Sequence, residues 1–109
     1  MAADGLQKNI VTTNGHIMTK IIMAGYVIIP SAERNIFKAV ITDHIRLTLA
    51  EAGCLDFKII PVKDNNCKFS VYEEFVDKAA FEHHQTRNAK SNWAKINVNM
   101  ERHYSFLEE

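Results

Sequence analysis

The sequence has no excess charge of either sign, because 13 lysines and arginines are matched by 13 aspartates and glutamates. Nucleic acids and anionic membranes are gripped by clustered, uncompensated Lys and Arg, so neither is an expected partner. Glycine is scarce as well. Gly5, Gly15, Gly25 and Gly53 stand isolated, and single glycines make neither a phosphate-cradling loop nor a dinucleotide fingerprint, which argues against nucleotide cofactors. The two cysteines, Cys54 and Cys67, lack the short Cys or His spacing of a zinc site, so no metal is expected. Cys67 lies beside a predicted hairpin turn and Cys54 far from it, which points to two reduced, partly buried thiols rather than a disulfide. No apolar run approaches the ~18 residues of a membrane span, and the N-terminus lacks a charged-then-apolar signal with a cleavage site; the expected location is the cytoplasm.

What is present fits one globular domain. Of the 109 residues, 47% are hydrophobic and 24% charged, enough for a single modest core. Residues 1–15 hold only a short apolar pair, Ile10-Val11, and the stretch is extended to residue 17 because Met18 is a plausible start for the folded part. Residues 1–17 are expected as a flexible N-terminal arm, or an extension foreign to the domain, which then runs over 18–109. Thr19 to Ile29 reads as a strand that is apolar on both faces, with Ile22, Ala24, Tyr26 and Ile28 on one and Ile21, Met23, Val27 and Ile29 on the other. One face would pack on the chain's own helices. The other needs a cover, which a second copy would supply; the alternative is closure by the chain's own long loops. Behind Pro30, Ser31 is a candidate N-cap, and from Glu33 to Glu51 the apolar period is helical. Ile36, Val40 and Leu47 fall on one flank and Phe37, Ile41 and Ile45 on the other, with His44 in the middle of the arc. Gly53 is read as the residue that stops this helix. Leu55 to Val62 and Lys68 to Phe75 then form a hairpin about Lys63-Asp64-Asn65-Asn66, and Asn97 to Leu107 a last strand, giving the order βαββαβ.

The stretch Phe69 to Thr86 organises the rest. Its first half alternates, placing Phe69, Val71, Glu73 and Phe75 on one side and Ser70, Tyr72 and Glu74 on the other. Its second half changes period after Asp77, a good N-cap, so that Ala80, Phe81 and His84 share one helical face. A strand carrying Glu73 inward would thus feed a helix carrying His84 inward, pointing a carboxylate and an imidazole at one interior. The plainer alternative is a core histidine bonded to a backbone carbonyl and a Glu73 at an edge or interface. His44 carries the same two readings. Trp93 either covers the end of the fold or walls the pocket.

Tyr72-Glu73-Glu74-Phe75, followed by Asp77, Ala80, Phe81 and His84, resembles the antibiotic biosynthesis monooxygenase family over roughly Met18 to Leu107. Members show an aromatic-Glu-x-aromatic strand end, a short turn, and a helix carrying Ala, an apolar residue and His. Ala52-Gly53-Cys54-Leu55-Asp56 is similar to the family's link between first helix and second strand. The chain departs from the pattern at Phe75, where tryptophan is frequent, and at Gln85-Thr86-Arg87-Asn88, where a second histidine is frequent; a one-residue shift would match His83 and Thr86 instead, but the gapless reading reaches His84. The resemblance implies a ferredoxin-like α+β domain pairing into a dimeric α+β barrel, with a pocket in each protomer between sheet and helices. It further implies oxygenation without metal or flavin, in which a small aromatic or quinol-like substrate loses a proton and its anion reacts directly with dioxygen. His84 would be the general base and Glu73 its orienting or charge-balancing partner, with His44, Phe37, Tyr26, Phe69, Phe81 and Trp93 as substrate-binding walls. Two other functions stay open. One is isomerisation or processing of a small phosphorylated or multiply oxygenated signal molecule, which needs cations such as Arg87, Lys90 or Arg102 on the pocket; the other is a non-catalytic ligand-binding dimer.

Overall fold

A computed structural model describes residues 19–109; the arm expected over residues 1–17 lies outside the described residues. The chain runs β1 (Ile21–Ile28), a 3-10 turn (Ser31–Glu33), α1 (Arg34–Leu49), β2 (Cys54–Val62), β3 (Asn65–Phe75), α2 (Lys78–Ala89), α3 (Asn92–Ile96) and β4 (Glu101–Glu108). The four strands form one antiparallel sheet in the order β2-β3-β1-β4. This is the ferredoxin-like arrangement, an α+β fold in which the two central strands carry the longest buried runs. Gly25 lets β4 lie close against β1, for a Cβ there would sit 1.9 Å from the His103 carbonyl oxygen.

Alternation divides the sheet. Ile21, Met23, Val27, Phe69, Val71 and Phe75 are buried beneath the helices and join Phe37, Phe81 and Trp93 in one core. Their neighbours Ile22, Ala24, Tyr26, Ile28, Tyr72 and Glu74 point to the other face and are half-buried. The residue-by-residue alternation expected for β1 and β3 therefore holds.

Helical boundaries differ from expectation in three places. Ser31 makes no capping hydrogen bond and begins the 3-10 turn instead. The first helix ends at Leu49 with Ala50 as C-cap, ahead of Gly53; the service of Gly53 is close packing, since a Cβ there would lie 2.3 Å from that of Ala80 at the start of α2. The segment from Asn92 to Ile96, where the βαββαβ order has no element, is a short helix capped by the Ser91 hydroxyl, which accepts from Ala94 N–H at 3.3 Å. Residues 97–99 are turn, so β4 begins only at Glu101. The buried stripe of α1 is also narrower than the predicted arc. It follows Phe37, His44 and Thr48, while Ile36 and Leu47 remain 49% and 43% exposed, because a helix lying over β2 touches it along a single line. Cys54 and Cys67 are free thiols, as expected.

Candidate functional site

Period-2 geometry on β3 turns Glu73 toward the helices, opposite Met23 on β1 and Phe57 on β2. A carboxyl is thereby forced into the core at 6% exposure. The next element answers it. Asp77 caps α2, its carboxylate accepting from Ala80 N–H at 2.8 Å, which fixes the phase of the helix so that Phe81 and His84 face the sheet. His84 is 1% exposed and His83 lies outside. The His84 Nε2 stands 3.7 Å from Glu73 Oε1, and its Nδ1 stands 3.2 Å from each oxygen of Glu51. Glu51 follows the end of α1; its carboxylate accepts a hydrogen bond from Arg87 Nε, one helical turn beyond His84, and the same guanidinium donates to Thr48 Oγ1 at 3.0 Å. Arg87, Glu51, His84 and Glu73 thus form one polar line through an otherwise apolar layer.

Burial sets the charge states. It pushes the Glu73 carboxyl up to about 8, with the Glu51 charge adding to the shift. Burial also lowers His84 below the ordinary imidazole range, opposed by the Glu51 hydrogen bond and charge. Around neutral pH the line therefore holds a neutral imidazole beside a carboxyl group that is mostly protonated. Buried His44 lies in a different setting. Its ring stacks on Trp93 at 4.1 Å with an interplanar angle of 2° and meets Phe57 edge-on. Burial, followed by His84 and Arg87, lowers it to about 3.

Glu73 borders two linked hollows between sheet and helices, with His84 behind it. A narrow cleft of about 30 Å³ is walled by His44, Phe57, Glu73, Trp93 and Tyr104, room for about one water. It shares Glu73, Asn88, Arg102 and Tyr104 with a cavity of about 490 Å³, a volume in the range of small-molecule sites. Among the described residues, Glu73 Oε1 and Asn88 Oδ1 are buried without a hydrogen-bond partner. Arg102 is pinned at the rim, donating to Met100 O at 3.2 Å and Asn97 O at 3.4 Å. Tyr104 is pushed up to about 12, by burial first and then by Glu73.

Of the residues singled out in the sequence, the structure brings Glu73 and His84 together and sets His44 and Trp93 on the cleft. Phe37 and Phe69 are core residues, 4.7 Å apart, with Phe37 backing Trp93. Phe81 packs edge-on against Phe75 and Phe106. Tyr26 is corrected outright: it occupies the opposite sheet face, stacked on His103 at 4.6 Å with Lys68 Nζ 4.1 Å from its ring, because residue 26 alternates with inward-facing Met23 and Val27. Sequence reasoning missed Glu51, Asn88, Phe57 and Tyr104. Alternation put Arg102 and Tyr104 on a shared face of the last strand without saying which face was inward; nothing local marked Glu51. Among the described residues, no group of three or more His, Cys, Asp or Glu is arranged to hold a metal ion.

The family model for antibiotic biosynthesis monooxygenase matches residues 21–95. Similar solved structures include a candidate antibiotic biosynthesis monooxygenase from Nitrosomonas europaea, with a TM-score of 0.66 at 17% identity over 84% of this chain and 88% of that one. Another of that designation, from Bacteroides thetaiotaomicron, has a TM-score of 0.63 at 14% identity, covering 84% of this chain and 87% of the other. No curated protein matches the chain.

Proposed function

Because the chain belongs to the antibiotic biosynthesis monooxygenase family, we propose that it is a cofactor-independent monooxygenase acting on a small quinol- or polyphenol-like substrate with dioxygen. The observation that carries the proposal is Glu73 on the wall of a cavity of small-molecule size with the His84 imidazole 3.7 Å behind it. In this reading a substrate hydroxyl enters beside Glu73 and gives up its proton, with His84 as the general base. His84 itself has almost no exposed surface, so the proton passes through Glu73: one carboxyl oxygen takes it from the substrate while the other yields its own to Nε2. The product of that step is a substrate anion facing an imidazolium. Proton transfer of this kind is typically worth about two to four powers of ten in rate. The anion then reduces dioxygen directly; a hydroquinone and dioxygen give a hydroxyquinone and water, every electron coming from the substrate. Phe57, Trp93 and Phe106 keep bulk water from the anion.

The test is dioxygen uptake with a panel of hydroquinones and polyphenols, metal chelated and no cofactor added, comparing wild type with folded His84→Gln. Uptake above the spontaneous rate that falls at least tenfold in the variant supports both the reaction and the base. Uptake that survives keeps the reaction and removes His84 from it. Absence of uptake across the panel turns the balance to a second reading, favoured by Arg102 on the cavity wall: isomerisation or processing of a small phosphorylated or multiply oxygenated signal molecule, whose anionic group Arg102 would hold. If neither substrate class is turned over, a non-catalytic ligand-binding dimer remains, with His84 serving stability alone.

The uncovered sheet face supports a homodimer. It presents Ile22, Ala24, Tyr26 and Ile28, and two residues of the outer strands on the same face, Ile60 and Leu107, are 51% and 52% exposed. A second copy stacked there would remove that apolar surface from water, worth roughly 25 cal/mol per Å². Light scattering should return twice the chain mass, and Ile60→Lys with Leu107→Lys should halve it; a wild-type monomer would rule the dimer out. Among the described residues no helix is long and apolar enough to cross a membrane, and the proposed setting is the cytoplasm.

A further inference from the structure

His84 is useful as a base only if its bare nitrogen faces the cavity side. A neutral imidazole carries one proton on either Nδ1 or Nε2, and the partner of each nitrogen decides which. Here one side is fixed. Both oxygens of Glu51 lie 3.2 Å from Nδ1. That carboxylate is held from behind by Arg87 Nε, whose guanidinium is itself anchored on Thr48 Oγ1. The Glu51 backbone is tied on both sides, its N–H donating to Thr48 O at 3.0 Å and its carbonyl accepting from Cys54 N–H at 3.1 Å. A carboxylate is an acceptor only, so it selects the Nδ1–H form. The opposite nitrogen then points its lone pair at Glu73, whose Oε1 has no other partner among the described residues.

We propose that Glu51, braced by Arg87, is a positioning residue that locks His84 with its proton on Nδ1 and its Nε2 bare toward Glu73. The proposal rests on the reading of His84 as the base only for its purpose; the tautomer itself is a property of the resting protein. When Nε2 accepts a proton, the Glu51 carboxylate already lies against Nδ1–H, so the imidazolium forms beside a preplaced negative charge and nothing has to move. Arg87 occupies one oxygen of that carboxylate, Oε2, and so holds it in place. Arg87, one of the cations that an isomerase or processing role could draw on, is thereby engaged on the far side of the imidazole from Glu73.

The experiment is a two-bond ¹H–¹⁵N correlation spectrum of the uniformly labelled protein near neutral pH, with the His84 ring identified by its loss in His84→Gln. Wild type should show the Nδ1–H pattern, and Glu51→Leu should convert it to Nε2–H, now bonded to Glu73, or to a mixture of the two. Should Glu51→Leu fail to fold because it strands a guanidinium, Glu51→Leu with Arg87→Leu removes both charges together and serves the same purpose. An Nε2–H ring or an imidazolium in wild type would overturn the proposal, as would an unchanged Nδ1–H pattern in the folded variant. None of these readouts needs a substrate, so failure of the oxygenase assay leaves this test intact. Where turnover is found, Glu51→Leu should lower kcat at least tenfold with KM within about threefold, and Glu51→Asp should restore part of it; a change in KM alone would overturn the positioning role.

Discussion

Among the described residues two histidines, His44 and His84, are buried; they stand 6.3 Å apart, ring to ring, in one apolar layer, yet their surroundings differ. His84 has a carboxylate against one nitrogen and a carboxyl 3.7 Å from the other. His44 lies flat against Trp93 and edge-on to Phe57, and burial first, then His84 and Arg87, disfavour its protonation. Burial is common to both and lowers both. The difference lies in what can receive the positive charge once it forms: His84 has Glu51 in contact, whereas His44 has an indole face and a like-charged neighbour. In the proposed reaction the same residue type at the same depth thus serves as a proton carrier in one place and a flat wall in the other.

The largest expected effect separates the two directly. His84→Gln should lower kcat/KM for any substrate found by about two to four powers of ten, while His44→Phe, which keeps the stack on Trp93, should change it by less than tenfold. Equal losses would erase the distinction. A second contrast lies in stability against pH. Unfolded, the Glu73 carboxyl titrates near 4.5 and folded near about 8, so the native state keeps a proton that the unfolded chain has released, and stability falls as pH rises from about 4.5 to 8. His44 goes the other way: from 6.5 unfolded to about 3 folded, the unfolded chain takes the proton first, and stability falls as pH drops from 6.5 toward 3. Chemical denaturation across pH should show Glu73→Gln flattening the first slope and His44→Phe the second, each by up to a few kcal/mol, at about 1.4 kcal/mol per pH unit. A Glu73→Gln profile parallel to wild type above pH 5 would place an ordinary carboxyl at that position. The smallest effect is optical. Trp93 is the single tryptophan and stacks on His44, so its emission should stay constant between about pH 8 and 5; a step near 6.5 would show that His44 titrates as a free imidazole despite its burial.

Much of this site was legible along the chain. Alternation from Phe69 to Phe75 marked Glu73 as inward, and the change of period after Asp77 marked His84 over His83, because strand and helix geometry are set by neighbours a few residues away. The same local logic placed His44 on the buried side of α1. It failed for Tyr26, since alternation assigns residues to two faces without labelling either as the inner one, and β1 is apolar on both. It failed again at Asn92–Ile96, where five residues are too short for a helical period to be seen.

The sequence by itself determined the order of the four strands and the two long helices, the pairing of faces on β1 and β3, and the inward turn of Glu73 and His84, each a consequence of local backbone periodicity and of one side-chain cap. Tertiary structure alone decided which sheet face the helices cover, and it brought Glu51 to a histidine 33 positions later and to Arg87 36 positions later. Ion pairs and ring stacks between distant segments leave no periodic trace, because they depend on where α1 ends over the sheet and how α2 crosses it. Those are settled only when the whole apolar layer packs.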